Sequence, residues 1–171
     1  MDVLDAIRNR RAVRHFADRP VAAETIASIL DAGRRSQSSK NTQPWKFILV
    51  QERSRLEALS KLGTYAGHLA GAAFAVVLVG AKAWNWNDFD LGQAAAYMQL
   101  AAWELEVGAC IAAIYPEADV KSLLGIPPES TVYCALSFGY PAEDWQPARM
   151  GGRRPLDEVV FREQWENGAE G

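Results

Sequence analysis

The segment from Ala73 to Gly80 (AFAVVLVG) limits the possible folds most strongly, because it is a continuous apolar run that ends in glycine. A run of this length is typical of a β-strand that is buried on both faces. It belongs to the most hydrophobic stretch of the chain, which is about half as long as the roughly 20 residues that a membrane span requires. We therefore expect an interior strand of a sheet and no membrane partner.

Apolar periodicity elsewhere predicts helices and strands in alternation. The expected helices are Asp2–Arg10, Ala23–Arg35, Arg53–Gly63, Asp88–Glu106 and Pro116–Leu124. The other expected strands are Trp45–Val50, Ala109–Tyr115 and Thr131–Phe138. Because the two kinds of element are interspersed, we expect a mixed α and β class with a sheet of about four strands among helices.

Length and composition favour one soluble domain. The chain has 171 residues, of which 49% are apolar and 23% charged, so we expect residues 1–171 to form a single folded domain. The net charge of −3 excludes a generally basic nucleic-acid binder. The first residues, Met-Asp-Val-Leu-Asp, carry acids where a signal peptide carries bases, which predicts a cytoplasmic protein.

Several common types of site are disfavoured by what the sequence lacks. Cys110 and Cys134 are far apart, so a disulfide scaffold is not expected. His15 and His68 are the only histidines, which excludes a multi-histidine metal centre, and each is interpreted as a packing or surface residue. No nucleophile–base pair is visible. The absence of GxGxxG and Walker motifs disfavours a Rossmann or P-loop nucleotide site.

A cluster of arginines near the N-terminus has two interpretations. Arg8, Arg10, Arg11 and Arg14 lie in one short stretch without an acid. They could be solvated cations that complement the C-terminal dipole of the first helix. Alternatively, they form an anion site, because guanidinium groups suit phosphate and repel one another unless an anion or water lies among them. If the two ends of the chain lie close together, Arg153 and Arg154 would bind the same anion, which would then be doubly charged.

The polar loop from Ser38 to Trp45 (SSKNTQPW) is the second candidate site. It could simply be a polar turn that precedes a buried tryptophan. As a binding site, it offers amide and hydroxyl groups that can read a polyol or a heteroaromatic edge, because Asn and Gln both donate and accept hydrogen bonds.

Two further groups are weaker candidates. The carboxylate pairs Asp88/Asp90 and Glu104/Glu106 are two residues apart and do not share a helix face, so an acid–base dyad is disfavoured. Trp84 and Trp86 are interpreted as packing residues, with a lid over a planar ligand as the alternative.

Taken in order, these motifs resemble those of the nitroreductase family of flavoenzymes. The segment Arg10 to Phe16 (RRAVRHF) is similar to the family's Arg-Arg-Ser-Val-Arg-x-Phe, and Ser38 to Phe47 (SSKNTQPWKF) to its Ser-x-x-Asn-x-Gln-Pro-Trp-x-Phe. The resemblance continues nearly to the end of the chain through Asp90–Ala102, Val107-Gly108, Leu123–Pro127, Gly139–Pro141 and Arg153–Val160.

The resemblance implies an α+β fold with a central, mostly antiparallel sheet of four or five strands flanked by helices. It also implies an intertwined homodimer, in which the C-terminal tail (about 141–171) reaches the partner and each interface site holds FMN. The residues that it assigns to FMN are Arg10, Arg11, Ala12, Arg14, Ser38, Lys40, Asn41, Gln43, Ala113, Arg153 and Arg154. Arg14 would lie at the pyrimidine edge of the flavin and favour its reduced, negatively charged form, while no protein residue is assigned as catalytic.

The implied activity is reduction of nitroaromatics, quinones or related electrophiles by NADH or NADPH through ping-pong hydride transfer. Two departures from the family pattern keep alternatives open. Ala12 replaces a common Ser, and Ala113 stands where a Gly is usual near the flavin. The alternatives are a specialised flavin enzyme, for reductive dehalogenation or reduced-FMN chemistry, and a non-catalytic FMN-binding protein.

Overall fold

The computed structural model of the protein describes residues 2–81, 86–148 and 152–165. The helices are α1 (Val3–Asn9), α2 (Ala23–Arg34), α3 (Arg53–Ser60), α4 (Asn87–Glu104) and α5 (Glu117–Leu124). The strands are β1 (Trp45–Val50), β2 (Phe74–Ala81), β3 (Gly108–Ala112) and β4 (Ser130–Gly139). The expected elements are confirmed, with shorter ends in several cases.

The four strands form one antiparallel sheet in the order β1-β2-β4-β3. In the register, Trp45 of β1 lies opposite Gly80 of β2, and Cys110 of β3 lies opposite Ser137 of β4. The apolar run of the sequence is therefore an interior strand, as expected, and β1 and β3 are the two edges.

The sheet is covered on both faces because alternate residues of β2 point to opposite sides. Phe74, Val76 and Leu78 pack in a core that also contains the small and apolar residues of α4, together with Ile26 and Ile29 of α2. Ala75, Val77 and Val79 pack in a second core with residues of α3 and α5. The fold therefore has three layers, with α2 and α4 on one face of the sheet and α3 and α5 on the other. This is the expected α+β architecture.

Backbone hydrogen bonds and glycines with positive φ explain why several elements end where they do. The predicted strand Ala109–Tyr115 ends at Ala112, because the Tyr115 N–H donates to the carbonyl of Leu62 instead of to β4. The predicted helix Arg53–Gly63 ends at Ser60, before Gly63 with φ +126°. Helix α5 ends at Gly125 with φ +65°, a left-handed conformation that glycine adopts without steric cost.

Candidate functional site

The arginine-rich segment is held along the free edge of β3. Ala12 forms a parallel bridge with Ala109, and the Val13 N–H donates to the Ala109 carbonyl at 3.0 Å. Val13 is fully buried, and a Cβ on Gly108 would lie 2.6 Å from the Val13 Cβ. The close approach at Gly108 therefore fixes the backbone from which Arg10, Arg11 and Arg14 project.

The arginines of this segment divide into two groups, so both interpretations of the cluster apply in part. The Arg11 guanidinium donates to the carbonyls of Arg8 and Arg10 at 2.7 and 3.0 Å, and Arg8 lies 3.9 Å from Asp5. These two side chains complement the C-terminal end of α1, as cations commonly do. The charges of Arg10 and Arg14 instead act on Cys110 of β3.

The charge of Arg153, near the C-terminal end of the chain, acts on Arg10, near the N-terminal end. Burial lowers the pKa of Arg10, the Cys110 thiol opposes this effect, and the charges of Arg11 and Arg153 lower the pKa further. Burial raises the pKa of the Cys110 thiol, and the positive charges of Arg14 and Arg10 act against this effect. In the described part of the chain, Arg10, Arg14 and Arg153 form no ion pair with a carboxylate. Crowded cations without a counter-charge are a suitable environment for a bound anion.

The exposed edge of β3 continues from this cationic cluster to Ala113. Ile111 and Ala113 are exposed, whereas Ala112 between them is buried. From Ala109 to Ala113 the extended chain advances about 13 Å, which leaves room for an anionic group at one end and a planar ring at the other. Arg154 is exposed one residue beyond Arg153, and Gly151 lies outside the described residues.

The polar loop adopts an unusual backbone conformation. Lys40, Asn41 and Gln43 have φ values of 51°, 56° and 48°, a region that costs non-glycine residues energy and persists only where the surroundings hold it. One support is Ser38, whose Oγ accepts a hydrogen bond from the Gln43 N–H at 3.0 Å. The amide side chains of Asn41 and Gln43 are exposed on this constrained loop.

Asp90 is a second support of the loop, and sequence reasoning did not assign it that role. The residue is only 2% exposed, and its Oδ2 accepts the Ser39 N–H at 3.1 Å. Asp88, its neighbour in the disfavoured dyad, is exposed. The sequence signal that could have indicated this role is the position of Asp90, an acidic residue in the first turn of the long helix that follows the polar loop in the chain.

A groove of about 330 Å³ lies beside this support. It is lined by Gln37, Ser38, Ser39, Trp86, Phe89, Asp90 and Gln93. Trp86 and Phe89 are exposed and meet edge to face, with ring centroids 5.9 Å apart. Trp86 is therefore at the rim of a groove rather than in the core, and Trp84 lies outside the described residues.

One chain does not bring the two candidate groups together. The loop is tied to α4 near its first turn, at Asp90. The arginine segment is tied to β3, which begins beside the last turn of α4, where the Val107 N–H donates to the Ala102 carbonyl at 2.8 Å. From Asp90 to Glu104 the helix advances about 20 Å. Strands β1 and β3, beside which the two groups lie, are also opposite edges of the sheet.

A serine–histidine contact is present that the sequence did not indicate. His68 Nδ1 lies 2.8 Å from Ser137 Oγ, and that hydroxyl donates to the Cys110 carbonyl at 3.3 Å. Ser137 is fully buried, so it cannot reach a substrate as a nucleophile. The contact is therefore not a nucleophile–base pair for a substrate, and the sequence carries no signal of it because the two partners are 69 residues apart and meet only across the sheet.

Among residues 2–81, 86–148 and 152–165, no three His, Cys, Asp or Glu side chains are grouped in a way that could hold a metal ion. Over these ranges, no helix combines the length and apolar character required to cross a bilayer.

Comparison with known proteins identifies the family. The model of the nitroreductase family matches residues 7–66 and 59–140. The chain belongs to the nitroreductase family. It is 30% identical over 173 aligned residues to a protein of Archaeoglobus fulgidus named as a candidate NADH dehydrogenase/NAD(P)H nitroreductase, covering 96% of this chain and 99% of that one.

Solved nitroreductases share the fold along most of the chain. A candidate nitroreductase of Desulfovibrio desulfuricans, solved in complex with FMN, is 27% identical, with a TM-score of 0.82 over 97% of this chain and 99% of that one. An FMN-dependent nitroreductase of Clostridium difficile is 26% identical, with a TM-score of 0.80 over 96% and 98% of the two chains. The family and fold expected from the motifs are thereby confirmed, while the individual site residues stay predictions.

Proposed function

We propose that this nitroreductase is an FMN-dependent oxidoreductase that uses NADH or NADPH to reduce nitroaromatic, quinone or related electrophilic substrates. Family membership and the FMN-bound relative support the cofactor and the class of enzyme. The observation that carries the assignment is that Arg10 and Arg153, from opposite ends of the chain, interact electrostatically, while neither forms an ion pair with a carboxylate among the described residues.

Arg10, Arg153 and Arg154 would hold the FMN phosphate. Each charge-assisted hydrogen bond contributes roughly 1.5–3 kcal/mol, so two or three suffice to retain the cofactor without a covalent bond. Ala12 has no hydroxyl to add to this set and can offer only its backbone N–H. The Arg11 side chain is already hydrogen-bonded at the end of α1. We therefore expect the backbone of Arg11, and not its guanidinium group, to contact the phosphate.

The exposed edge of β3 would support the ring. When bound there, FMN would supply hydride transfer from NAD(P)H to the oxidant at one face of its ring. Arg14, whose charge acts on Cys110, would lie at the pyrimidine edge and stabilise the negative charge that reduction places there. Ala113, exposed at the end of β3, would limit how closely the backbone approaches the ring.

The loop residues Ser38, Lys40, Asn41 and Gln43 would reach the same FMN from a second copy of the chain. Within one chain they are separated from the arginine segment by the length of α4, so a shared site requires two chains. The proposed assembly is therefore a homodimer with two equivalent sites, which is the closed symmetry most common among oligomers.

Exposed apolar side chains support this assembly. Val3, Leu4 and Ile7 form the apolar face of α1, and Val3 is 71% exposed. The described part of the tail, 152–165, carries Leu156 and Trp165 at 75% and 76% exposure. A soluble monomer rarely exposes a contiguous apolar surface of this kind. We propose that the tail and α1 are covered by the partner; a cytoplasmic location stays a prediction.

The absorbance spectrum of the purified protein tests the function. A yellow protein whose flavin bands are bleached by NADH or NADPH and restored by a nitroaromatic or quinone is the expected result. A colourless protein that takes up no added FMN would refute the proposal. Flavin that stays oxidised with both nicotinamides would indicate the non-catalytic alternative, and turnover with halophenols alone the specialised one.

A further inference from the structure

His68 lies beside β4, one strand in from the β3 edge that we propose carries the FMN ring, and it has no assigned role. It belongs to a short 3₁₀ turn, Gly67–Leu69, on the sheet face that carries α3 and α5. Its ring contacts Ser137 of β4, and the charge of Arg14 acts on it across the end of β3. The residue that we place at the pyrimidine edge of FMN is thus a neighbour of a group that can change its protonation near neutral pH.

Hydrogen bonds fix the state of the imidazole. Ser137 has one hydroxyl hydrogen, which it donates to the Cys110 carbonyl at 3.3 Å. In the arrangement where the Ser137 hydrogen bonds the Cys110 carbonyl, the 2.8 Å contact between His68 Nδ1 and Ser137 Oγ uses a hydrogen on Nδ1. The neutral ring then carries its lone pair on Nε2, which is the atom that can accept a proton. The Ile111 backbone raises the pKa of His68 and so favours the protonated ring.

The charges around His68 keep it neutral in the resting protein. Burial lowers the pKa of His68 below its ordinary value of about 6.5, and the positive charge of Arg14 lowers it further. Among the described residues on the elements next to His68, the Cys110 thiol of β3 has a pKa raised by burial, and Arg53 of α3 donates to the carbonyls of Ala70 and Ala72. A new negative charge beside Arg14 would offset the effect that keeps His68 neutral.

We infer that His68 is a proton-storing residue of the FMN site, which gains a proton when the flavin edge beside Arg14 becomes negative and releases it when that charge is removed. The inference rests on the proposed function. It goes beyond it by giving the chain its own proton carrier, whereas the family pattern assigns the protons to no protein residue.

The step balances in electrons and protons. NAD(P)H delivers a hydride, which is two electrons and one proton, and His68 Nε2 takes one proton from solvent to offset the resulting negative charge. When the oxidant is reduced it receives the hydride, and His68 gives up its proton to the product or to solvent at the site. The oxidant thus gains two electrons and two protons, and His68 returns to its neutral state.

The pH dependence of the flavin midpoint potential tests this inference. One proton bound with two electrons changes the equilibrium constant tenfold per pH unit, which is about 30 mV in a two-electron couple. Between pH 6 and 8 the wild-type holoenzyme should show two protons per two electrons, a slope of about 60 mV per unit. His68→Asn, whose amide can replace Nδ1 toward Ser137 but cannot titrate, should show about 30 mV.

His15→Asn is the matched control, because it removes the only other histidine, which is exposed, and should keep the wild-type slope. A second measurement needs no variant: the His68 ring, followed by NMR in the wild-type holoenzyme, should titrate at a higher pH after reduction of the flavin than before. An unchanged slope in His68→Asn, or a His68 titration that does not move on reduction, overturns the inference.

Failure of the inference and failure of the proposed function are distinguishable. If the proposed function is wrong, neither wild type nor variant binds FMN, and no potential can be measured. If only the inference is wrong, both proteins are yellow and are reduced by NAD(P)H, with the same pH slope. A colourless His68→Asn beside a yellow wild type places His68 in FMN retention instead, and the NMR titration of the wild type then decides.

Discussion

Arg10 is the residue whose removal should separate anion binding from folding. Its guanidinium is half-buried beside Cys110 and Arg153, and Arg10→Ala should weaken FMN binding by about 2 kcal/mol, the order expected for loss of one charged hydrogen-bond partner. This corresponds to roughly a 30-fold rise in Kd, measured by quenching of FMN fluorescence. Arg55→Ala, which removes an exposed ion pair with Glu52, is the control and should leave Kd unchanged.

The lowered pKa of His68 makes a prediction for stability. Because the pKa in the folded protein lies below that of the unfolded chain, the unfolded state binds more protons at mildly acidic pH. The contribution of His68 is therefore fully present above pH about 6.5 and is lost as the pH falls through the folded pKa. Urea unfolding at pH 5 to 8 should show this loss in wild type and in His15→Asn, but not in His68→Asn.

At the scale of elements, Gly108 controls the attachment of the arginine segment to β3. Gly108→Ala would place a methyl group 2.6 Å from Val13 atoms, and overpacking of this kind costs about 1–3 kcal/mol. We expect a lower urea midpoint together with weaker FMN binding, since Arg10 and Arg14 depend on this backbone. In Gly92→Ala, where nothing lies within 4 Å of the new Cβ, stability should be equal or higher; equal losses in both variants would contradict the assignment.

The elements could be predicted from the sequence because each carries a local signal. The apolar run of β2 and the helical periodicity of α4 are properties of neighbouring residues. Ser137 and His68 carry no such signal, because their contact depends on the antiparallel register that sets Ser137 opposite Cys110. From the sequence, Asp90 was considered only as a possible acid–base partner of Asp88. In the structure it accepts a hydrogen bond from a backbone N–H in the loop that precedes β1.

At the scale of the whole molecule, the apolar face of α1 should hold the proposed dimer together. Ile7 is exposed in the isolated chain, so Ile7→Asp should leave the monomer folded but place a charge in the covered interface, which is strongly unfavourable. Sedimentation or light scattering should show monomers that lose FMN on dialysis. Dimers that keep their flavin would contradict the proposed interface, and Arg55→Ala again serves as the control.

The arginine segment and the polar loop are separated by about 20 Å along α4. This separation predicts how two variants behave when their subunits are mixed. In the proposed dimer, one site takes its arginines from one subunit and its loop from the other. Arg10→Ala damages the first half, and Asp90→Ala, which frees Ser39, damages the second. A mixed dimer of the two variants would contain one doubly damaged site and one site of entirely wild-type residues. Random exchange of subunits in an equal mixture should therefore restore about one quarter of the sites. A mixture of two variants that each bind FMN poorly should thus regain part of its FMN binding.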